Sequence, residues 1–311
     1  MNNDFLSLQS ELAEKERNIY EPATLYNQQR VKPQEFLDDL ISPCGSKGIV
    51  FSDGTYQCKE TGLEIPSSED VLNLKNSKTE GDSQWFQLNE QFLNYHKSLT
   101  AYTLINSMPG LNYIGEYSGL SEVKNAKVVD VGAGTGHCLC TMFSNPEAID
   151  YYLLDPNLRK LHDQFIRLYP KLSKLKMKHI LAHAEFLPLK NELADIVLSM
   201  SAIDHYADYK KFISEAWRIL KPGGLLVICS HLDRPKVQRS QYTPLYKKIF
   251  SNTFFERFTR YWYYRKSAVG GDDHTNHFED TSAIVNVMKQ NGFEIILDHV
   301  YSDNFIIKAK K

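Results

Sequence analysis

Short apolar runs separated by amphipathic segments dominate the chain from residue 126 onward. The amphipathic segments include residues 157–168 and 209–220, whose apolar positions favour helices. Strands that alternate with helices predict an α/β fold, in which a parallel sheet carries helices on both faces. The apolar runs that we predict as strands are residues 127–131, 151–154, 180–182, 194–200 and 225–229.

The C-terminal end of the chain follows a different pattern. Residues 293–300 and 304–310 are predicted as two further strands, and only residues 301–303 connect them. So short a connection can form only an antiparallel hairpin. We therefore expect a mostly parallel sheet that ends in an antiparallel hairpin.

The N-terminal part of the chain predicts a small α+β extension. Helical patches give way to short strands and turns near residue 41, and residues 75–83 form a polar linker. A helix is predicted over residues 85–104. We therefore predict two units, an extension at 1–84 and a larger domain at 85–311.

The first predicted strand of the larger domain leads into a glycine-rich segment. Residues 130–136 read Asp-Val-Gly-Ala-Gly-Thr-Gly. Glycine allows a tight turn from strand to helix and leaves room for a ligand against the main chain. The start of the following helix favours an anionic group such as a carboxylate. A dinucleotide-binding pattern would need a further glycine where this chain has His137, so that pattern is not met.

An acidic residue follows at the end of the second strand of this domain. Asp155 precedes Pro156, and a carboxylate at this position can accept hydrogen bonds from both hydroxyls of a ribose. Together with the glycine-rich segment, this carboxylate favours cofactor binding over a purely structural turn.

In this order, these motifs resemble those of the class I S-adenosylmethionine-dependent methyltransferases. The resemblance covers about residues 85–311 and extends to segments at 182–189, 195–199 and 217–224. It implies a Rossmann-like sheet, S-adenosylmethionine as the cofactor and transfer of its methyl group to an acceptor. The cofactor-binding residues that it implies are Asp130, Gly132, Ala133, Gly134, Gly136, Asp155, Pro156, Ala184, Glu185 and Ser199.

The segment that borders adenine in this family departs from the family pattern at one position. The family usually has an aspartate where this chain has His183, and that aspartate receives the adenine amino group. A neutral imidazole can also accept a hydrogen bond. A backbone contact from Ala184 is the alternative.

The N-terminal extension resembles the small zinc ribbon that precedes some methyltransferase domains. Cys44 and Cys58 occupy two of the four cysteine positions, and Ile41 and Thr61 occupy the other two. A structural zinc site is closed by four ligands. We therefore expect a metal-free relic and assign no metal ligands; a zinc site completed from elsewhere in the chain is the alternative.

The segment after the fourth strand contains the first candidates for chemistry. The family places substrate contacts there, and this chain has Asp204 and His205. An imidazole titrates near neutrality, so His205 is a candidate general base, and packing beneath the loop is an equally weighted alternative. A base is needed only if the acceptor must lose a proton.

Two further histidines precede the last predicted helix. His274 and His277 have a spacing that allows a metal site, but capping of the helix or a role in a substrate pocket is favoured. With these alternatives open, the predicted catalytic residues are His205, Asp204 and His277.

Composition narrows the class of protein. The chain has 311 residues with 42 % hydrophobic and 24 % charged residues, which excludes wholesale disorder. No apolar run approaches the roughly 18 residues that a membrane span needs. The polar N-terminus argues against a secretory signal, and five scattered cysteines do not make a disulfide framework. We expect a cytoplasmic protein with no membrane partner.

The formal net charge of −2 hides a basic and aromatic segment. Residues 232–268 contain nine Lys and Arg residues against two acidic ones, together with ten aromatic residues. Insertions at this point of the fold commonly cover the acceptor pocket in the family, so we expect residues 232–278 to form a lid. A solvated face and an RNA-binding surface are the alternatives, in that order.

The sequence therefore favours an S-adenosylmethionine-dependent methyltransferase that acts on a small-molecule acceptor, such as a secondary metabolite. An RNA base methyltransferase is disfavoured by the missing ribbon cysteines and by the acidic balance outside the basic segment. A catalytically silent cofactor-binding subunit is the remaining alternative. No pattern in the sequence indicates the oligomeric state.

Overall fold

The computed structural model describes residues 25–26, 29–44, 47–68, 70–75, 114–136, 138–157, 161–162, 170–233, 275–301 and 303–311. The helix predicted at 85–104 and most of the predicted lid lie outside the described residues. No helix of the described ranges is long and apolar enough to cross a membrane.

The described strands lie between residues 25 and 310. In chain order they are β1 (Leu25–Tyr26), β2 (Gln29–Arg30), β3 (Ile49–Ser52), β4 (Thr55–Cys58), β5 (Glu64–Ile65), β6 (Ser67–Ser68), β7 (Val71–Asn73), β8 (Ala126–Val131), β9 (Ile149–Asp155), β10 (Leu161–His162), β11 (Lys176–Leu181), β12 (Ala194–Met200), β13 (Leu220–His231), β14 (Glu294–Tyr301) and β15 (Asn304–Lys310). The described α-helices are α1 (Cys138–Met142), α2 (Tyr209–Ile219) and α3 (Ser282–Gln290).

The centre of the molecule is one twisted sheet with apolar layers on both faces. Strands β11, β9, β8, β12 and β13 are neighbours in this order, and all of these pairs are parallel. Strand β15 then pairs antiparallel with both β13 and β14. The α/β fold with a Rossmann-like, mostly parallel sheet and a C-terminal antiparallel hairpin is therefore confirmed.

The helix predicted at 209–220 is confirmed as α2. The carboxylate of Asp208 caps its first turn by accepting hydrogen bonds from the backbone N–H groups of Lys210 and Lys211. The helix buries one apolar face against the sheet, including Phe212 and Ile219, neither of which is exposed to solvent.

We also predict a helix at residues 157–168. This prediction is wrong at residues 161 and 162, which the structure describes as a strand. Leu161 and His162 form strand β10, which pairs antiparallel with Leu25 and Tyr26 of β1. A pairing across more than a hundred residues overrides the local helical spacing of the apolar side chains.

The N-terminal extension adds strands to the edge of the central sheet. Strand β7 runs parallel to β11, and β6 pairs antiparallel with β7. Strand β2 also pairs with β11, whereas β3, β4 and β5 form a separate three-stranded sheet. The division of the chain at residue 84 stays a prediction, because the extension and the larger domain share hydrogen bonds along this edge.

A partly buried polar cluster attaches the extension to the sheet. The Tyr152 hydroxyl donates a hydrogen bond to one carboxylate oxygen of Asp39, and Lys127 Nζ lies 3.1 Å from the other. Lys178 Nζ donates to the Tyr152 hydroxyl at 2.8 Å. Burial raises the pKa of Asp39, but the hydrogen bonds from Tyr152 and Lys127 outweigh it, so the pKa lies below its usual value.

We predict that Asp39→Ala lowers the free energy of unfolding by about 1–3 kcal/mol, because it leaves the Tyr152 hydroxyl and the Lys127 ammonium without their acceptor. The matched control is Asp38→Ala, which removes a neighbouring exposed carboxylate and should change the value by less than about 0.5 kcal/mol. Urea denaturation followed by circular dichroism measures both. Equal effects of the two substitutions would contradict the role of Asp39.

Candidate active site

The glycine-rich loop follows β8 at the carboxyl edge of the parallel sheet. Gly132, Gly134 and Gly136 have φ angles of 69°, 57° and 72°, in the left-handed region that side chains rarely adopt. A Cβ on Gly132 would lie 2.5 Å from the Cβ of Ala202, and one on Gly136 would lie 2.5 Å from Leu153 Cδ1. Both backbone conformation and close packing therefore require glycine here.

The acid that precedes the loop is fully buried. Asp130 accepts a hydrogen bond from the Tyr151 hydroxyl, and its Oδ1 has no partner among the residues that the structure describes. Burial raises the pKa of Asp130 to about 7; the Tyr151 hydrogen bond lowers it, and the charge of Asp155 raises it. The site thus contains a buried acceptor atom that a cationic or hydrogen-bonding ligand group can satisfy.

The carboxylate of Asp155 holds the loop in place. Its Oδ2 accepts a hydrogen bond from the Gly134 N–H at 2.9 Å, and its Oδ1 accepts one from the Asn157 N–H at 2.9 Å. The side chain is buried at the end of β9, with Pro156 next to it. Each carboxylate oxygen has a second lone pair, so these contacts orient the group and leave acceptor capacity.

Tyr206 connects the fourth parallel strand to the start of the loop. Its hydroxyl donates to the Val131 carbonyl oxygen at 2.8 Å, so the Ser199 hydroxyl, 2.9 Å away, must be the donor to Tyr206. Ser199 is completely buried. The structure therefore places Ser199 in a core hydrogen-bond chain, and it adds Tyr206, which our site prediction does not contain. The only sequence signal for Tyr206 is its place in the segment after the fourth strand.

The segment predicted to border adenine follows β11. Ala184 and His183 are buried there. Glu185 points toward the start of α2, where its Oε1 accepts a hydrogen bond from the Asp208 N–H at 3.1 Å. Burial raises the pKa of Glu185, and backbone hydrogen bonds, first among them that of Asp208, oppose the shift. The Glu185 carboxylate is thus engaged by α2 rather than by the glycine-rich loop.

An ion pair on α2 holds the rest of this segment. Arg218 donates to the carbonyl oxygens of Leu187 and Leu189, both at 2.7 Å, and forms a 2.7 Å ion pair with Glu215. Glu215 Oε2 in turn accepts a hydrogen bond from the Leu187 N–H at 2.9 Å. These contacts satisfy backbone groups that no strand or helix pairs, and they fix the path of the segment.

The candidate catalytic turn, Ile203–His205, lies between Ala202 and Tyr206, the two residues that a side chain at Gly132 would contact. The backbone N–H groups of Thr275 and Asn276 both donate to the Asp204 carbonyl oxygen at 2.8 Å. The Asn276 side chain donates to the Tyr206 carbonyl oxygen at 2.7 Å. The segment that we predict as a cap or pocket wall therefore clamps this turn through hydrogen bonds.

The three predicted catalytic residues differ in environment. Asp204 is buried, whereas His205 is only partly buried. His277 Nδ1 lies 2.8 Å from the carboxylate of Asp233, and about half of each side chain is exposed. Within the described ranges, no group of three or more His, Cys, Asp or Glu side chains could hold a metal ion. His274 lies outside those ranges.

The arrangement brings the loop, Asp130 and Asp155 together at one edge of the sheet. The buried Oδ1 of Asp130 and the side-chain-free backbone beside it fit the polar methionine part of S-adenosylmethionine. The turn that contains His205 adjoins the same edge, since Ala202 would touch a side chain at position 132. Ser199 and Glu185 contact other parts of the domain.

We predict that Gly132→Ala lowers the free energy of unfolding by about 2–4 kcal/mol, because left-handed strain adds to overlap with Ala202. The matched control is Gly54→Ala, which has a φ of 82° but no heavy atom within 4 Å of its Cβ, so only the strain of about 1–2 kcal/mol applies. Chemical denaturation measures the difference. Equal losses would show that the loop does not pack tightly on the turn.

Comparisons with known proteins bear on the family of the chain. The sequence profile of a methyltransferase domain matches residues 108–297, which is more than half of the chain. A ubiquinone biosynthesis O-methyltransferase of Pelagibacter ubique is 29 % identical over 111 residues, which cover 35 % of this chain and 43 % of the relative. One of Bartonella bacilliformis is 26 % identical over 149 residues, which cover 48 % and 58 %. The chain thus spans about half the length of these curated relatives.

Solved structures include a SAM-dependent methyltransferase from Aquifex aeolicus, with 14 % identity and a TM-score of 0.39. That match covers 66 % of this chain and 97 % of the other. The profile match, over a region that contains the glycine-rich loop, Asp155 and the clamped turn, assigns the family. The chain belongs to the methyltransferase domain family.

Proposed function

We propose that this methyltransferase transfers the methyl group of S-adenosylmethionine to a hydroxyl oxygen of a small-molecule acceptor. One observation carries the proposal: the two residues that flank the turn containing His205 pack directly on Gly132 of the glycine-rich loop. The Tyr206 hydroxyl would lie 3.1 Å from a Cβ at Gly132, and Ala202 would be closer still. The turn with the candidate proton acceptor is thus held at both ends against the loop proposed to bind the cofactor.

The proposed cofactor contacts follow from the polar groups at the sheet edge. Asp130 Oδ1 would accept a hydrogen bond from the ammonium group of the methionine part. The carboxylate of Asp155 would accept hydrogen bonds from the ribose hydroxyls, in an orientation that Gly134 already fixes. When bound, the cofactor supplies an electrophilic methyl group. The remaining proposed contacts are Ala133, Gly136, Pro156 and Ala184, whereas Glu185 and Ser199 are no longer proposed, because their side chains are bonded to α2 and to Tyr206.

Methyl transfer is an in-line displacement, so this chain must orient the acceptor and exclude water. A hydroxyl acceptor must also lose its proton, and His205 is proposed to accept it through its imidazole. Asp204 would act by fixing the turn, because its carbonyl oxygen receives both hydrogen bonds from the 275–276 segment. His277, held by Asp233, is proposed to line the acceptor side of the same site.

The relatives support oxygen as the acceptor atom. Both of those described above have names that specify O-methyl transfer in ubiquinone biosynthesis. Phenolic hydroxyls are weak acids, and proton removal by a positioned imidazole makes them nucleophilic at neutral pH. We therefore propose a phenol or catechol as the class of acceptor.

The test is turnover of radiolabelled S-adenosylmethionine with a panel of phenols and catechols, with total RNA as a competing acceptor. His205→Gln should lower kcat by about 10²–10⁴-fold with little change in cofactor affinity, because only proton transfer is lost. The matched control is His231→Gln, which changes an exposed histidine at the last position of β13. Undiminished turnover in His205→Gln would contradict the proposal that His205 is the base. Transfer of the label to RNA would contradict the proposal of a small-molecule acceptor.

Cofactor binding should depend on pH through Asp130. Its carboxyl is protonated below about pH 7 in the free protein, and a cationic ammonium group beside it favours the ionised form. Binding therefore releases a proton, and affinity falls as the pH is lowered from 7, by up to about tenfold per pH unit. Calorimetry in two buffers of different ionisation enthalpy measures the release. Asp130→Asn should abolish the proton release that comes from Asp130. An unchanged number of released protons in this variant would contradict the proposed contact between Asp130 and the ammonium group.

A further inference from the structure

Two backbone turns of the N-terminal extension face each other beside the three-stranded sheet. The first is closed by the hydrogen bond from the Ser42 N–H to the Lys47 carbonyl oxygen, at 3.0 Å. The second is closed by the bond from the Cys58 N–H to the Leu63 carbonyl oxygen, at 2.9 Å. The Lys59 N–H donates to the Gly48 carbonyl oxygen at 3.0 Å and joins the two turns. Each turn therefore brings its side chains to a shared centre.

Two sulfur atoms and two hydroxyl groups meet at this centre. Cys44 Sγ lies 3.0 Å from Ser42 Oγ and 3.5 Å from Thr61 Oγ1. The side chains of Ser42, Thr61 and Cys44 also form hydrogen bonds with Cys58. The two sulfurs thus share the same two hydroxyl partners and contact each other.

The hydrogen bonds favour the thiolate form of Cys58. Burial raises the pKa of its thiol, but the hydrogen bonds from Ser42, Thr61 and Cys44 outweigh burial and lower the pKa to about 6. The charged side chains carried by the two turns are Lys47, Lys59 and Glu60. Cys58 is therefore largely ionised at neutral pH.

The other three cysteines of the chain have the opposite chemistry. Burial raises the pKa of Cys138 well above its usual value, that of Cys140 to about 12 and that of Cys229 to about 11. Protonated thiols are poor nucleophiles. Thiolate reactivity near neutral pH is therefore concentrated at the pair in the extension.

The two sulfurs of the pair differ in access. Cys44 is exposed to solvent, whereas Cys58 is buried, with a relative exposure of 1 %. A reagent in solution therefore reaches Cys44 first. The buried thiolate of Cys58 is adjacent and can react only with a group already attached to Cys44.

We propose that Cys44 and Cys58 form a thiol-modification site that exchanges with small disulfides of the glutathione class. The Cys44 sulfur attacks one sulfur of the small disulfide, whose S–S bond breaks and releases one small thiolate. The Cys58 thiolate then attacks the Cys44 sulfur of the mixed disulfide and releases the second small thiolate. Both protein sulfurs are oxidised to a disulfide, the small disulfide is reduced to two thiols, and the Cys44 proton passes to a released thiolate. This site is independent of the proposed acceptor.

The experiment equilibrates the full chain with glutathione buffers of increasing disulfide content, quenches with acid and alkylates the remaining thiols. Peptide mass spectrometry should find a Cys44–Cys58 cross-link that forms without loss of alkylation at Cys138, Cys140 and Cys229. Accumulation of a stable mixed disulfide on Cys44 without a cross-link, or equal oxidation of all five cysteines, would overturn the proposal.

Single substitutions separate the two roles. Cys58→Ser should stop the reaction at a glutathione adduct on Cys44, and Cys44→Ser should slow modification of Cys58 at least tenfold. The ultraviolet absorbance of the thiolate in the unsubstituted protein, lost on acidification through about pH 6, is a second measurement that needs no variant. Direct glutathionylation of Cys58 in Cys44→Ser at the original rate, or no thiolate absorbance at neutral pH, would refute the proposed order.

Discussion

The close approach of the glycine-rich loop to the turn after β12 is the constraint on which the rest of the site depends. Strand β8 is the central parallel strand, and the chain must leave it without a side chain at Gly132, because Ala202 and Tyr206 already occupy that space. Ala202 and Tyr206 flank the turn that contains His205. The glycine-rich loop and both ends of this turn are thus positioned by one contact.

Buried polar groups then hold each part of this edge. Asp155 accepts a hydrogen bond from the Gly134 N–H. The Ser199 hydroxyl donates to the Tyr206 hydroxyl, which in turn donates to the carbonyl oxygen of Val131. Each bond satisfies a group that would otherwise be buried without a partner, which is costly in an apolar interior. Asp130 is an exception, since its Oδ1 has no partner within the described residues. That exception is consistent with a site built to receive a polar ligand.

The N-terminal extension is integrated with the sheet and also chemically distinct from it. Strands β2 and β7 pair with β11, and Asp39 forms hydrogen bonds with side chains of the central strands. The two turns that contain Cys44 and Cys58 lie beside the separate small sheet. Where the resemblance to a zinc ribbon implies four thiolates, this chain has two, and hydroxyl groups of Ser42 and Thr61 complete the cluster by hydrogen bonds. The hydroxyl from the first turn belongs to Ser42, which follows Ile41. Ile41 occupies one of the four cysteine positions of the ribbon.

The sequence by itself determined the parallel sheet, the C-terminal hairpin, helix α2 and the place of the glycine-rich loop. These features depend on local patterns, namely apolar periodicity, a three-residue connection and the φ angles open to glycine. Only the tertiary structure decided which residues form hydrogen bonds with each other at the site. Tyr206 reaches Val131 across 75 residues and Asn276 reaches Tyr206 across 70, so no local pattern contains either contact. Strand β10 also depends on tertiary structure, because it forms by pairing with the distant strand β1. The lowered pKa of Cys58 likewise depends on hydrogen bonds from residues that are distant in sequence, such as Ser42.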